Sequence, residues 1–468
     1  MKILNRILIL LTLSLVTQQV VATHLVGGNL GYTYLGETAP GSQIYRYQIN
    51  MQFYMNCGDN SNFETFQDLL NTSQNGTLPV GVYLQDPQNP NSDKVQQAIV
   101  ELALISDIQI VPPFPPGCDV GDGLCTLLGD FQGTVDLPLN FNGYHLYFQM
   151  CCRNLDISNL NNPNQTGIGY YAYIPPTLVQ NSSPVFFGVP TPFLCTADTS
   201  TFINSASDPD GDQLIFSFER PYNSISIAGG VQNPPGTLPW PIPEVTYGGG
   251  YSIAQPFGAG GYSFINGATG LTRYLSPIQG NYVIAVEIKE FRNGQLIGRT
   301  RRDLQLQVVP CAPNATPAVS GTLPLSYTVD AGDQLCFDMN FGDTDVDSLF
   351  LTASGTIFDG TQFNPPATIT PIASAIGTAA AQFCWATACE QGQSQPYLFS
   401  VTVVDNGCPP KNLDVVFQVN VVPFVGPTVI NGPLQICSGV TGSVYSTDDI
   451  SGATYNWVVN GGTLVSGQ

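Results

Sequence analysis

Short segments in which apolar and polar residues alternate run through the whole chain and constrain its fold more than any other feature. The clearest examples are residues 45–54 (YRYQINMQFY), 144–150, 282–288, 304–309, 398–404 and 415–422. Glycine, proline, asparagine and aspartate bound these segments. Because successive side chains of a strand point to opposite faces, each segment can bury one face and expose the other. The pattern predicts an all-β chain of stacked two-layer sandwiches.

One pattern of residues occurs twice in the middle of the chain. Residues 208–216 (DPDGDQLIF) align without gaps with 343–351 (DTDVDSLFL), and 282–310 match 397–423. Two copies of one module therefore occupy residues 186–311 and 312–424. The first copy is longer because a glycine-rich insertion runs from about residue 228 to 262.

The repeat and its flanks divide the chain into five parts. They are a signal peptide at 1–22, an N-terminal β-sandwich domain at 23–185, the two copies of the repeated module at 186–311 and 312–424, and a partial unit at 425–468. The last part reads as two or three strands, and half a sandwich cannot bury its own apolar face. We therefore expect a truncated unit and a longer polypeptide of which this chain is the N-terminal fragment.

The N-terminus indicates export, and the net charge narrows the class of partners. Residues 1–22 (MKILNRILILLTLSLVTQQVVA) combine a positive start, a short apolar core and a small-residue end, as a signal peptide does. No later segment has about 18 uninterrupted apolar residues, so we expect no transmembrane segment after signal cleavage. The net charge of −21 repels phosphate backbones and argues against nucleic-acid binding.

Twelve cysteines fit an oxidising compartment. Cys118 with Cys125 and Cys389 with Cys408 are candidate local disulfides, and Cys195 with Cys311 could bracket one module. Connectivity is not deducible further from the sequence. Cys437 has no later partner in this chain.

The two aspartate clusters are the candidate metal sites. The predicted ligands are Asp208, Asp210, Asp212, Asp343, Asp345 and Asp347. Three carboxylates at alternate positions of one loop repel each other, and Ca²⁺ relieves that repulsion by taking six to eight hard oxygen ligands. The DPDGD spacing resembles cadherin-like and PKD-type motifs. The alternative is a plain turn, since aspartate and glycine are favoured turn residues, and Val346 replaces the glycine in the second copy.

Other chemistry is less favoured by the sequence. The histidines, His24 and His145, have no GxSxG-like partner, and neighbouring acids on one turn do not face each other across a cleft. Trp240 lies in the glycine-rich insertion, where it could stack on a sugar or clamp the sandwich edge. We expect a protein that is not an enzyme.

Several phrases resemble large exported surface proteins of gliding Bacteroidota. They are residues 22–30 (ATHLVGGNL), 150–154 (MCCRN), 170–176 (YYAYIPP), 290–297 (EFRNGQLI), 301–303 (RRD), 383–385 (FCW), 405–410 (DNGCPP) and 451–467, which begins SGATYNW and ends VSG. The family consists of gliding-motility-associated, type IX-secreted, adhesin-like proteins. The resemblance implies Ig-like modules and identifies the partial unit at 425–468 as PKD-like.

Together these observations predict a secreted cell-surface protein, an Ig-like stalk that displays binding loops for adhesion or motility. Its expected partners are an extracellular surface, glycan or protein ligands, and the rest of its own longer chain. The alternative is an accessory carbohydrate-binding part of a larger extracellular enzyme that acts on polysaccharides. A third option is a matrix component without a specific ligand.

Overall fold

The computed structural model describes most of the chain between residues 25 and 449. The described residues are 25–57, 65–73, 75–110, 115, 118, 124–187, 193–423, 429–433, 440–449, 455, 457 and 463. The predicted signal peptide, His24, Cys437 and most of the predicted PKD-like unit lie outside them.

The N-terminal region is built from long strands and one short helix. In chain order they are β1 (Leu25–Glu37), β2 (Ile44–Asn56), α1 (Phe66–Leu70), β3 (Leu78–Leu84), β4 (Lys94–Ile110), β5 (Thr126–Pro138), β6 (Tyr144–Cys151) and β7 (Ile168–Ile174). The predicted alternation is present in β2, where Tyr45, Tyr47 and Ile49 are buried between more exposed neighbours. The capping box of Thr65 and Asp68 starts α1.

The first module follows with shorter strands. They are β8 (Val185–Phe186), β9 (Phe193–Cys195), β10 (Thr199–Ile203), β11 (Ala206–Ser207), β12 (Gln213–Glu219), β13 (Gly230–Val231), β14 (Thr237–Leu238), β15 (Tyr262–Ile265), β16 (Leu271–Leu275), β17 (Gly280–Arg292) and β18 (Gln295–Val309). A 3₁₀ turn, Pro163–Gln165, precedes β7 of the N-terminal region.

The second module and a short hairpin complete the described strands. They are β19 (Ala318–Val319), β20 (Ser326–Asp330), β21 (Gln334–Gly342), β22 (Leu349–Ser354), β23 (Thr368–Ala375), β24 (Thr378–Ala386), β25 (Tyr397–Asp405), β26 (Asn412–Val422), β27 (Ile430–Asn431) and β28 (Ser446–Thr447). Two 3₁₀ turns, Thr356–Phe358 and Cys389–Gln391, lie between strands.

The two modules repeat one strand order. In the first module β12 pairs with β17, β17 with β18, and β18 with β9 in parallel. In the second, β22 pairs with β25, β25 with β26, and β26 with β20 in parallel. The opposing sheets are β10-β16-β15 and β19-β21-β24-β23. The chain is all-β with tandem Ig-like sandwiches, as its alternating segments predict.

One sheet runs from the N-terminal region into the first module. Its strands are paired in the order β1-β2-β5-β4-β3-β6-β7-β18-β17-β12, and β18 also pairs with β1. At that crossing Gly27 has φ +146°, and a Cβ there would lie 2.0 Å from the carbonyl oxygen of Asp303. Only glycine lets β1 lie this close to β18. Residues on both sides of the predicted boundary at 185/186 therefore share one sheet.

The glycine-rich insertion folds back on the N-terminal region. Its strand β13 pairs with β6, and β14 pairs with β4. The Tyr83 hydroxyl donates to the carbonyl oxygen of Pro235 at 2.9 Å. The insertion thereby covers one face of the N-terminal strands and adds to the contact between the two parts.

Four of the five disulfides in the described chain join residues 48 to 290 positions apart, and the fifth joins two neighbouring cysteines. They are Cys57–Cys125, Cys118–Cys408, Cys151–Cys152, Cys195–Cys311 and Cys336–Cys384. The bridge between Cys195 and Cys311 is confirmed.

Two local pairings predicted from the sequence are wrong. Cys118 and Cys125 do not pair, and Cys389 does not pair with Cys408; it is a free, exposed thiol. The fold brings Cys118 to Cys408 across 290 residues of sequence, which closeness in sequence could not indicate. Among the described residues no helix is long and apolar enough to cross a membrane.

Candidate functional site

The two aspartate loops occupy the same place in the two modules. One lies between β11 and β12, and the other lies between β21 and β22. In the first, Asp208 Oδ1 accepts hydrogen bonds from the backbone N–H of Asp210 at 2.9 Å and of Asp212 at 3.0 Å. In the second, Asp343 Oδ1 accepts from the Asp345 N–H at 2.7 Å. Both loops are therefore Asx turns, which is the turn chemistry that the sequence allowed.

The turn keeps its shape although its glycine is not repeated. Gly211 has φ +77°, and Val346 at the equivalent position has φ +66°. A β-branched residue is strained in this left-handed region. The second loop thus adopts the geometry of the first at a cost in conformational energy.

A fourth acid joins the first loop. Carboxylate oxygens of Asp208, Asp212 and Glu290 lie within 4.8 Å of one another, and Glu290 is buried at the end of β17. Asp210 points elsewhere: its Oδ2 accepts from the Ser182 N–H at 2.5 Å. Among the described residues this is the one group of three acids so arranged. Two of the three aspartates predicted for this loop are therefore brought together, with Glu290 in place of the third.

The second module repeats this network. Glu290 follows Tyr282 by the same interval as Asp405 follows Tyr397. Asp405 is likewise buried. The side-chain amide of Asn181 donates to Glu290 Oε1 at 2.5 Å, and that of Asn314 donates to both carboxylate oxygens of Asp405 at 3.1 Å.

A segment just before the first module, and one at the start of the second, are held by the aspartate loops in the same way. The Ala315 N–H donates to Asp345 Oδ2 at 2.5 Å, as Ser182 does to Asp210. Each loop thus fastens the incoming chain, at 181–182 or 314–315, to its own module. Asp343, Asp345 and Asp347 do not by themselves converge on one point.

An arginine distinguishes the two networks. Arg292 donates through Nε to Asp212 Oδ1 at 2.7 Å and through Nη2 to Oδ2 at 2.5 Å. It also donates to Asn181 Oδ1 at 2.7 Å. In the second module Gly407 stands at the equivalent place, two residues after Asp405. The first network therefore contains the guanidinium of Arg292 at a position where the second has a glycine.

The buried acids of the first cluster have too little positive charge around them to stay fully ionised. Burial, with Asp212 and Asp210 nearby, raises the pKa of Asp208 to about 7. Burial and the charge of Asp208 raise the pKa of Glu290 to about 9. In the second module burial raises the pKa of Asp405. At neutral pH the first cluster therefore holds either a proton or a second cation.

The donor set fits a hard cation. Asp208 Oδ2 and Asp343 Oδ2 are buried and have no hydrogen-bond partner. Carboxylate, backbone carbonyl and amide oxygens are the ligands that Ca²⁺ takes. Asp208, Asp212 and Glu290 would hold the ion in the first module, and Asp343 would contribute in the second.

Sequence reasoning missed Glu290, Asp405 and the two asparagines. A signal for them was present: Asn181-Ser-Ser-Pro and Asn314-Ala-Thr-Pro precede the two loops at similar distances.

The other candidates have structural roles. Trp240 is half-buried and lies against His145 and Tyr171, with the Lys94 ammonium 4.4 Å from its ring centroid. It clamps the insertion onto the N-terminal strands. His145 is buried and shares a hydrogen bond of 2.8 Å between Nδ1 and the Tyr171 hydroxyl. Burial lowers the pKa of His145 to about 3, so its ring stays neutral.

Comparisons with known proteins give remote similarities. No protein-family model matches the chain, and no curated protein matches it. Among solved structures, a titin Ig tandem is 7% identical and covers 52% of this chain and 100% of its own, with a TM-score of 0.17. The N-terminal Ig module pair of the Drosophila receptor protein tyrosine phosphatase DLAR is 10% identical and covers 51% and 98%, with a TM-score of 0.19. A sialic-acid-binding region of a Streptococcus sanguinis adhesin is 10% identical and covers 55% and 82%, with a TM-score of 0.17. The fold is assigned from the pairing of its strands.

Proposed function

We propose that this chain is a non-enzymatic, extracellular, adhesin-like scaffold that holds binding surfaces away from a cell. The observation that carries the proposal is that the parts of the chain are joined by a disulfide and by a shared β-sheet. The Cys118–Cys408 disulfide links the N-terminal region to the second module, and one sheet joins that region to the first module. Disulfides form and persist in oxidising compartments.

The buried charges support a structural role. Arg153 and Asp303 form an ion pair between the loop after β6 and strand β18, and both side chains are almost fully buried. Lys411 of the second module pairs with Asp198 of the first. Such contacts fix neighbouring modules in one orientation, which a stiff display scaffold needs. The phrases that resemble surface proteins of gliding Bacteroidota support a link to gliding motility and type IX secretion.

Surface labelling tests the proposed location. Antibodies against residues 312–423 should label intact cells of the source organism, and proteolysis of intact cells should remove the signal. Labelling only after the cells are permeabilised would contradict the proposal. A cytoplasmic protein of similar abundance is the control for cell integrity.

Ca²⁺ is the proposed stabilising ion of this scaffold. We expect Ca²⁺ to raise the melting temperature relative to chelator, because it would replace the proton shared by buried acids. Asp208→Asn removes an unpaired oxygen and should abolish the increment, whereas the exposed Asp107→Asn on β4 should keep it. Equal melting temperatures with Ca²⁺ and with chelator would contradict the proposal that Ca²⁺ stabilises the scaffold.

A further inference from the structure

A polar cleft of about 300 Å³ opens where the N-terminal region meets the first module. The end of β2, the loop after β6, and strands β17 and β18 line it. The lining residues are Asn56, Asn154, Leu155, Asp156, Asn281, Gln305 and Gln307. Its volume lies at the lower end of the range for small-molecule sites. Both parts of the chain therefore contribute residues to the cleft.

The lining has an unusual chemistry. Apart from Asp156 and Leu155, every lining side chain is a carboxamide, and none carries a positive charge. Each carboxamide offers donor and acceptor groups side by side, which matches hydroxyl groups that also donate and accept. Leu155 is 66% exposed and places apolar surface at the rim. This combination suits a ring with polar edges and apolar C–H faces.

The polar groups are held in place before any ligand arrives. Asn154 and Gln305 are more than nine-tenths buried, and Asn154 Nδ2 donates to Gln305 Oε1 at 3.0 Å. Asn281 Nδ2 donates to Asp156 Oδ2 at 2.5 Å. The side-chain oxygens of Asn154 and Asn281 are buried without a hydrogen-bond partner. Unsatisfied buried acceptors are rare, and these two oxygens belong to side chains that line the cleft and still lack a hydrogen-bond donor.

Structural elements behind the cleft fix its walls. The Arg153–Asp303 ion pair joins the residue before Asn154 to β18. The Cys57–Cys125 disulfide follows Asn56 directly. A preorganised lining loses little freedom on binding, which favours recognition of a weakly binding ligand.

We propose that this cleft binds a neutral carbohydrate, one or two sugar units of a glycan or polysaccharide chain. The inference rests on the proposed function, which it deepens by naming a surface and a ligand class. Anionic sugars are disfavoured because Asp156 lies in the cleft and the chain carries a net charge of −21.

The test is an array of neutral and sialylated oligosaccharides probed with the full chain in its oxidised form, followed by calorimetric titration of the best neutral binder. Gln307→Ala and Leu155→Ser should each weaken binding about tenfold, as loss of a hydrogen bond or an apolar contact does. Gln418→Ala is the matched control. Gln418 is, like Gln307, a half-buried glutamine on the equivalent strand of its module, β26 as against β18, but it lies outside the cleft.

Side-chain amide resonances give a second readout that does not depend on the variants. Addition of the neutral oligosaccharide should shift the resonances of Asn154, Asn281 and Gln305. Binding to sialylated sugars or peptides only, an unchanged affinity in both cleft variants, or unshifted amide resonances would each overturn the proposal. A chain that binds no sugar but is found on the cell surface refutes the cleft assignment alone. A chain that binds sugar through the cleft but stays inside the cell refutes the proposed function instead.

Discussion

Replacing Arg153 with methionine should destabilise the N-terminal region and the first module together. Arg153 Nη1 lies 3.1 Å from Asp303 Oδ1, its Nη2 contacts Oδ2, and its Nε donates to the Gly167 carbonyl oxygen at 2.9 Å. The two side chains are 1% and 3% exposed, so solvent cannot replace the lost partner. Removing one member of such a pair typically costs about 3–5 kcal/mol. Asp303→Leu should cost a similar amount, because it leaves the guanidinium buried.

The double variant, Arg153→Met with Asp303→Leu, makes the prediction sharp. With both charges gone, the loss should be well below the sum of the two single losses, by at least about 2 kcal/mol. Urea unfolding under oxidising conditions measures this cycle. In backgrounds that keep a single tryptophan, Trp240 reports on the joined N-terminal body and Trp385 on the second module, whose core it occupies.

We expect the Trp240 transition to move to lower urea in the single variants and the Trp385 transition to move less. The reasoning is refuted if each single variant costs under about 1 kcal/mol, or if the double variant loses the full sum. The matched surface control is Arg46→Met, whose ion pair with Asp136 is exposed, so this substitution should leave the urea midpoint almost unchanged.

Three further predictions follow from the acidic loops and the disulfides. The raised pKa values of Glu290 and Asp208 mean that the folded chain retains protons that the unfolded chain releases, so stability without Ca²⁺ should fall as pH rises from about 5 to about 9. Glu290→Gln should flatten that fall in urea midpoints, and an unchanged slope would contradict the assignment. Val346→Gly should raise the stability of the second module by about 1 kcal/mol, because position 346 has a positive φ that glycine adopts without strain. Gly211→Val should lower the stability of the first module for the same reason. Thermal scans showing the opposite signs would refute this prediction. Replacing Cys118 and Cys408 with serine should lower the free energy of unfolding by about 2–4 kcal/mol. Peptide maps of the non-reduced chain should show the Cys118–Cys408 bridge and an alkylatable Cys389. A Cys389–Cys408 peptide would contradict this pairing.

The strands and the repeat could be predicted because each depends on local pattern. Alternation in 45–54 and 415–422 needs only one buried face, and β2 and β26 occupy those segments. The repeated DxDxD loops predicted matching turns before matching strands, and the structure has both. Physical periodicity of two residues is visible in sequence without knowledge of the neighbours.

The residues that complete the acid clusters are harder to predict from the sequence than the strands are. Glu290 and Asp405 come from strands about 60 to 80 residues after the loops, and only strand pairing brings them close. The same holds for Cys118 and Cys408, and for the residues of the cleft. Contacts of this kind depend on how sheets are joined, and the sharing of β18 between two parts of the chain has no local signature.

We propose above all that the crosslinked chain attaches to extracellular material and leaves it chemically unchanged. The direct measurement is the attachment of beads coated with the oxidised chain to cells and extracellular polymers of the source organism, with the size distribution of the polymers recorded before and after. We predict saturable attachment that the free chain competes away, and an unchanged polymer size distribution. Attachment no greater than that of albumin-coated beads, or a shortening of the polymers, would contradict the account.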